Sequence, residues 1–289
     1  MDYNFEDLAR KVDCLPTLKS VAARTVRLCS DPNTPVSTFI DVISGDQSMS
    51  SQILRLANST YFAHPRKITT IEKAITILGI DTVRDIVLSI AIFSLYHGLD
   101  NQSDFDLQNL WEHTFLTALI GKALAQKYDP EKADVLFIAG LFHDVGKLVQ
   151  HQIINKDFLL LFIKSLREEE NLHVIERKIL GFHHGDVGAV LLRNWNLPNT
   201  LVNMVRYHHY PLEFMGSIDQ SRMIRFCYLS NLLAHFIQYG LQSFEDLSKL
   251  DKHFTMCFNF NGSEFDEILS FIKKYVSDNK SFNQILMES

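Results

Sequence analysis

Cysteine is scarce and scattered. The four cysteines, Cys14, Cys29, Cys227 and Cys257, lie far apart with no C-x-x-C pair, which argues against zinc ribbons and against a disulfide framework. Basic charge is not in excess: 28 Lys and Arg stand against 34 Asp and Glu, a formal net charge of −6. Nothing in that balance asks for a nucleic-acid or anionic-membrane surface. Long apolar runs are missing too. The longest uncharged one, "IVLSIAIFSLY" at 86–96, falls well short of the ~18 residues that suggest a membrane span. The opening "MDYNFEDLARKVDC" lacks the basic-then-apolar plan of a signal peptide. The expectation is a cytoplasmic chain with reduced thiols and neither a DNA nor a membrane partner.

Glycine (12) and proline (7) are few among 289 residues, so long stretches run without a breaker. Within them apolar residues recur at helical spacing, as in Ile53, Leu54, Leu56 and Ala57, or Ile71, Ala74, Ile75 and Leu78. Strand-like alternation is confined to "TMCFNF" (255–260), too little for a sheet, and the fold class is read as all-α. "SDPNTPVS" (30–37) breaks the first helix with two prolines and offers Ser37 as the next cap. Thr69 or Thr70 can cap a helix that runs to Leu78 and stops at Gly79; Ser263 can cap the last helix. "HGLDNQSDFDLQ" (97–108) is polar and turn-rich, and a boundary there divides the chain into helical lobes at 1–100 and 105–289. "AITILGIDTVRDIV" (74–87) has a helix-turn-helix outline. Its surroundings are not basic, however, and its second run is apolar rather than base-reading. Two packed helices explain it better.

The second half carries an organised set of polar residues: His113, His143–Asp144, His183–His184 and His208–His209. Each lies at or near the end of a predicted helix, where several helix ends can converge on one cleft. Neutral imidazole and carboxylate are the usual ligands of zinc, iron and manganese. Asp144 is placed to bridge two ions, an arrangement that activates water and stabilises a departing phosphoester oxygen; Lys147, one turn on, can meet a phosphate oxygen. Bland alternatives stand beside each element. Asp144 can cap the helix that follows it, His208 and His209 can sit on a helix dipole, and His183 and His184 can be ordinary turn residues. His64, His97, His151, His173, His235 and His253 have no comparable context and are read as surface or core.

Four segments carry a family resemblance. They are "LPTLKSVAARTVRLCSDPNTPVSTFIDVISGDQSMSSQILRLANSTYF", "ITTIEKAITILGIDTVRDIVLS", "LFHDVGKLV" and "HHGDVGAVLLRNWNLPNTLVNMVRYHH". Over nearly its whole length the chain resembles the HD-related output domain (HDOD) family of bacterial signalling proteins. The resemblance implies a two-lobed all-helical protein, an N-terminal bundle followed by a lobe related to HD metal phosphohydrolases and to HD-GYP cyclic-di-GMP phosphodiesterases. It also implies a metal set at His113, His143, Asp144, His184, His208 and His209. If the chain is an enzyme, Asp144 as the bridge and Lys147 on a phosphate oxygen are the catalytic pair read from the residues themselves.

Two departures matter. The distant metal-binding aspartate of HD enzymes falls in "FCYLSNLLAHF", where this chain has Asn231, whose neutral amide is a weaker ligand. And "HHYPLEFMGS" (208–217) lacks the glycine-rich GYP loop, which puts cyclic-di-GMP hydrolysis in doubt. The resulting expectation is a non-catalytic signalling module holding a divalent ion (iron, manganese, zinc or nickel) at a degenerate HD site. It would act on a signalling protein in trans, no input domain being fused to it, with a phosphate or nucleotide as a further candidate ligand. The alternatives are a metal-dependent phosphohydrolase and a metal site that only stabilises the fold or senses the ion.

Overall fold

The computed structural model describes residues 4–12, 34–59, 67–97, 105–241, 251 and 254–287, with isolated positions 24, 28 and 245. Cys14, Cys29, His64, His253, the side chain of His97, the break at 30–33 and most of the proposed lobe boundary lie outside these residues. Among the described residues there is no strand. The helices are α1 (Phe5–Val12), α2 (Val36–Ser44), α3 (Gln47–Ala57), α4 (Ile71–Leu78), α5 (Ile80–His97), α6 (Leu107–Tyr128), α7 (Ala133–Phe142), α8 (Val145–Glu168), α9 (Leu172–Leu180), α10 (His184–Asn194), α11 (Asn199–Tyr207), α12 (Ile218–Gln238), the short α13 (Phe254–Cys257) and α14 (Gly262–Met287). No helix among them is long and apolar enough to cross a membrane.

The N-terminal helices pack through the apolar faces their spacing sets out: Phe39 and Ile43 of α2, Ile53 and Leu56 of α3, Ile71 and Ala74 of α4, Val83 and Ile86 of α5 are all buried. Thr70 caps α4, its side chain accepting from the amide of Lys73, and Gly79 (φ 86°) ends it. Asn58, in the "LRLANS" segment, ties the end of α3 to Ile68. Its amide nitrogen donates to the carbonyls of Leu54 and Ile68, and its Oδ1 accepts from the Ile68 amide at 2.7 Å.

Two expected caps are displaced. Ser37 lies inside α2: the helix begins directly after Pro35, whose extended backbone is the N-cap, and no side chain closes it. At α14 the cap is Asn261 rather than Ser263. Asn261 Oδ1 accepts from the Glu264 amide (3.0 Å) and Glu264 Oε2 accepts from the Asn261 amide (2.9 Å), a reciprocal pair that the Ser263 hydroxyl only supports.

α6 and α7 form the spine of the second half. Both are buried on nearly every side, as expected of helices apolar all round. They approach closely because residue 140 is glycine: a Cβ there would lie 2.4 Å from Ala118 Cα. α8, α10, α11 and α12 complete the surround, and α14 packs on α6. A continuous buried cluster runs from Leu8 through Trp111 and Phe142 to Cys227.

Candidate metal centre

Five helix ends or faces deliver the polar cluster. α6 contributes His113, the α7–α8 junction His143 and Asp144, the start of α10 His184, and the end of α11 His208 and His209. All six side chains are buried. The junction depends on Gly146: a Cβ at that position would lie 1.8 Å from the carbonyl oxygen of His184, so only glycine lets α8 start this close to α10. Asp144 occupies the N-cap position of α8, yet its side chain makes no cap bond. Its carboxylate turns instead into the histidines.

The two carboxylate oxygens face different neighbours. Oδ1 lies 3.2 Å from His184 Nε2 and 3.7 Å from His208 Nε2. Oδ2 lies 3.3 Å from His143 Nε2 and 3.9 Å from His113 Nε2, and accepts from Lys147 Nζ at 2.6 Å. Two ligand groups result, Asp144 with His184, His208 and His209, and Asp144 with His113 and His143; within each, one ligand atom per residue lies within 4.8 Å of the others.

Behind the cluster, outer partners fix the rings. His143 Nδ1 donates to the Gly140 carbonyl (2.7 Å) and His208 Nδ1 to the Val205 carbonyl (2.6 Å). A carbonyl only accepts, so each ring carries a proton on Nδ1, and in neutral His208 the Nε2 that faces Asp144 is a bare lone pair. His184 Nδ1 donates to Glu176 Oε2 at 2.7 Å. Inside, His184 Nε2 stands 3.0 Å from His209 Nε2, and His143 Nε2 stands 3.3 Å from His113 Nε2. His208 Nε2 and Asp144 Oδ1 are buried with no hydrogen-bond partner of good geometry. Lone pairs and a carboxylate oxygen converging without donors are costly in a buried site, and a divalent cation satisfies them together. The Nδ1-outward, Nε2-inward arrangement is that of metal-ligating histidines with their supporting shell.

The electrostatics favour neutral, ligand-ready imidazoles at His113, His208 and His209. Burial, helped by charge on His143, pulls His113 down to about 4. His183, His208, His209 and His235 are likewise held well below the usual value, by burial first and by a neighbouring imidazole second. His184 moves up: burial, the largest influence, opposes its charge, but the Glu176 carboxylate together with hydrogen bonding to Asp144 and Glu176 outweighs it. Burial alone would raise Asp144; the charges of His143 and Lys147 instead hold it well below the carboxylate range.

A stability consequence follows for the chelator-treated protein. Where folding lowers a histidine pKa, the unfolded chain binds more protons as pH falls below 6.5, so acid destabilises the fold. For His113 the loss runs from the ordinary 6.5 down to about 4, at about 1.4 kcal/mol per pH unit. His184 acts oppositely, its contribution being lost as pH rises through its raised value, but it is one group against several. The melting temperature is expected to fall steadily from pH 7 to pH 5; a flat profile would contradict buried neutral histidines.

Four supporting residues were not legible as such in the sequence. Glu176 is fully buried behind His184. His173 stacks on His209 (centroids 3.8 Å, 15°), His235 stacks on His113 (4.1 Å, 24°), and Gln238 reaches His113 Nδ1 at 2.8 Å. Only Glu176 left a signal, an acid beside Ile175 on the buried side of α9. His183 stays out of both ligand groups and caps α10, its Nδ1 accepting from the Gly185 amide. A cavity of about 300 Å³ reaches the cluster, lined by Lys147, His184, His209 and Asn231 within and by Glu169 and Asp251 among its other walls.

The structure resembles a candidate phosphohydrolase from Shewanella amazonensis SB2B (TM-score 0.74, 21% identity, 96% of this chain and 97% of that one). It also resembles a candidate signal transduction protein from Marinobacter aquaeolei VT8 (TM-score 0.71, 20% identity, 99% of this chain and 61% of that one). At these identities the likeness is one of fold. An uncharacterized protein of Treponema pallidum (strain Nichols) is 25% identical over 206 residues, which are 70% of this chain but 39% of that protein's length. The HDOD domain family matches residues 15–211, and with more than half of its length so matched the chain belongs to the HDOD family.

Proposed function

We propose that the chain is a regulatory HDOD module that holds one divalent cation at Asp144, His184, His208 and His209 and does not hydrolyse phosphoesters. The observation that carries this reading is how His113 is engaged. Its Nε2 lies 2.8 Å from Asn231 and its Nδ1 2.8 Å from Gln238. Both facing atoms are amide oxygens, Asn231 Oδ1 and Gln238 Oε1, and a neutral ring has one N–H, so it donates to one of them; the other amide serves the second nitrogen with its NH2 turned inward, and both partners are neutral. On the same side, Lys147 already neutralises Asp144 Oδ2. The His113–His143 half thus has its charge and hydrogen bonds met from within the protein, whereas the Oδ1 half retains unmet acceptors.

Imidazole with carboxylate suits iron, manganese, zinc or nickel. Such an ion would supply a Lewis acid for an anionic ligand or a rigid cross-link between the α8, α10 and α11 ends. The cavity is at the small end of ligand sites, and Glu169 and Asp251 in its wall disfavour a bulky anion such as a cyclic dinucleotide. Output then falls to a protein partner that reads the shape of the module, in keeping with the signal-transduction role named for the Marinobacter neighbour. The phosphohydrolase reading draws on the convergence of six ligand-type residues and on the name of the Shewanella neighbour.

Hydrolysis separates the two readings. Bis(p-nitrophenyl) phosphate and nucleoside triphosphates, offered with Mn²⁺, are expected to turn over no faster with the wild-type protein than with Asp144→Ala. Turnover that disappears in Asp144→Ala would establish an enzyme and overturn the regulatory reading.

A further inference from the structure

We propose that Glu176 is the positioning residue of the cation site: it fixes the tautomer and direction of His184 and makes its Nε2 the strongest imidazole ligand of the set. This rests on the cation reading above and adds which residue outside the ligand set tunes it.

Glu176 Oε2 accepts twice from one residue, from the His184 backbone amide at 3.0 Å and from His184 Nδ1 at 2.7 Å. The pair of bonds holds both the main chain and the ring of His184, leaving the ring little freedom to turn. Other rings have weaker support: His143 and His208 lean on backbone carbonyls, and His113 on amide side chains. A carboxylate on Nδ1–H draws that proton towards itself and raises the basicity of Nε2, so His184 is the better donor to a cation. Glu176 is itself fully buried and its Oε1 has no hydrogen-bond partner. A buried carboxylate in that state is costly unless positive charge stands close by, and a cation on the far side of the His184 ring provides it.

The carrier of Glu176 is built to hold register with the ligands. One turn earlier on α9, the His173 ring lies flat against His209, the neighbouring ligand of the same group. One residue later, Arg177 makes a two-bond contact to Glu213, both at 2.7 Å, and covers the Tyr210 ring at 3.8 Å. Tyr210 and Glu213 immediately follow the His208–His209 pair. A single helix therefore orients His184 directly and His209 by stacking, and is clamped to the segment that carries His208 and His209.

The test uses Glu176→Gln in the full chain, stripped with chelator. Glutamine keeps the size and an acceptor oxygen but removes the charge. By calorimetric titration, Mn²⁺ affinity is expected to drop about 10- to 100-fold. In ¹H–¹⁵N spectra of the metal-free protein, the strongly deshielded His184 Nδ1–H of the wild type is expected to move upfield or vanish, while the His143 and His208 ring signals stay in place. Unchanged affinity together with unchanged His184 resonances would overturn the proposal. Should the wild type take up no Mn²⁺, the cation reading fails, and the His184 spectrum alone decides whether Glu176 sets the tautomer.

Discussion

Asp144→Asn is expected to abolish cation binding, weakening it by more than about 100-fold, beyond the loss typical of a supporting residue. Asp144 belongs to both ligand groups, and it is the one carboxylate in either, so its loss removes the anionic ligand wherever the cation sits. Asparagine keeps the shape of the side chain, which limits the damage to packing. It does strip Lys147 of its ion-pair partner, a cost of about 3–5 kcal/mol if the ammonium stays buried and less if it swings to the cavity mouth. The informative comparison is His113→Ala, which is expected to change affinity by no more than about 3-fold, since His113 lies outside the group that holds the ion and meets it only through Asp144 Oδ2, 3.9 Å from its Nε2. Equilibrium titration of the chelator-treated variants with Mn²⁺ and Zn²⁺ distinguishes the two. Equal losses in both variants would place the ion between the groups and refute the asymmetry argued from Asn231 and Lys147.

Gly146→Ala is expected to have the largest effect on the fold itself. The added methyl would sit 1.8 Å from the His184 carbonyl oxygen, 2.7 Å from the carbonyl carbon and 2.8 Å from the Gly188 amide nitrogen. All three are backbone atoms, so no side-chain rotation relieves the overlap, and α8 must part from α10. Overpacking of this kind costs about 1–3 kcal/mol when side chains can yield, and backbone contacts place this substitution at the upper end or beyond. At roughly 2–4 °C per kcal/mol for a chain of this order of size, the melting temperature is expected to fall by about 6–12 °C. The same displacement draws His184 away from Asp144, so cation binding is lost in whatever folded fraction remains. A variant that melts with the wild type would show that the α8–α10 contact is not as close as described.

The parts of the protein that are local in sequence were legible there, and the parts made by packing were not. Helical spacing of apolar residues identified an all-helical chain, and Thr70 and Gly79 bounded α4 as expected because a cap and a stop depend on residues within one turn. Ser37 and Ser263 were misplaced for the same reason in reverse: several cap-capable residues stood within a turn, and Pro35 and Asn261 won through backbone restriction and a reciprocal bond. The six ligand-type residues could be named because imidazole and carboxylate recur at helix ends in a known order. Their support could not. His235 and Gln238 lie more than a hundred residues from His113 in the chain, and nothing in "NLLAHFIQ" marks which faces will meet α6. His173 has no sequence context that marks it, yet it lies flat on His209. Asn231 shows what sequence and structure each supply. The resemblance implies a ligand aspartate at this position; the structure supplies the contact, a neutral amide oxygen 2.8 Å from His113 Nε2.

The central claim, a half-retained site with room for one ion, is tested most directly by metal stoichiometry. Untagged protein, purified without chelator and analysed by inductively coupled plasma mass spectrometry, is expected to carry up to one equivalent of iron, manganese, zinc or nickel. After saturation with Mn²⁺ it is expected to hold one equivalent, and Asn231→Asp, which restores the second carboxylate, two. Two equivalents in the wild type would contradict the account, as would a wild-type protein that binds none under saturating conditions.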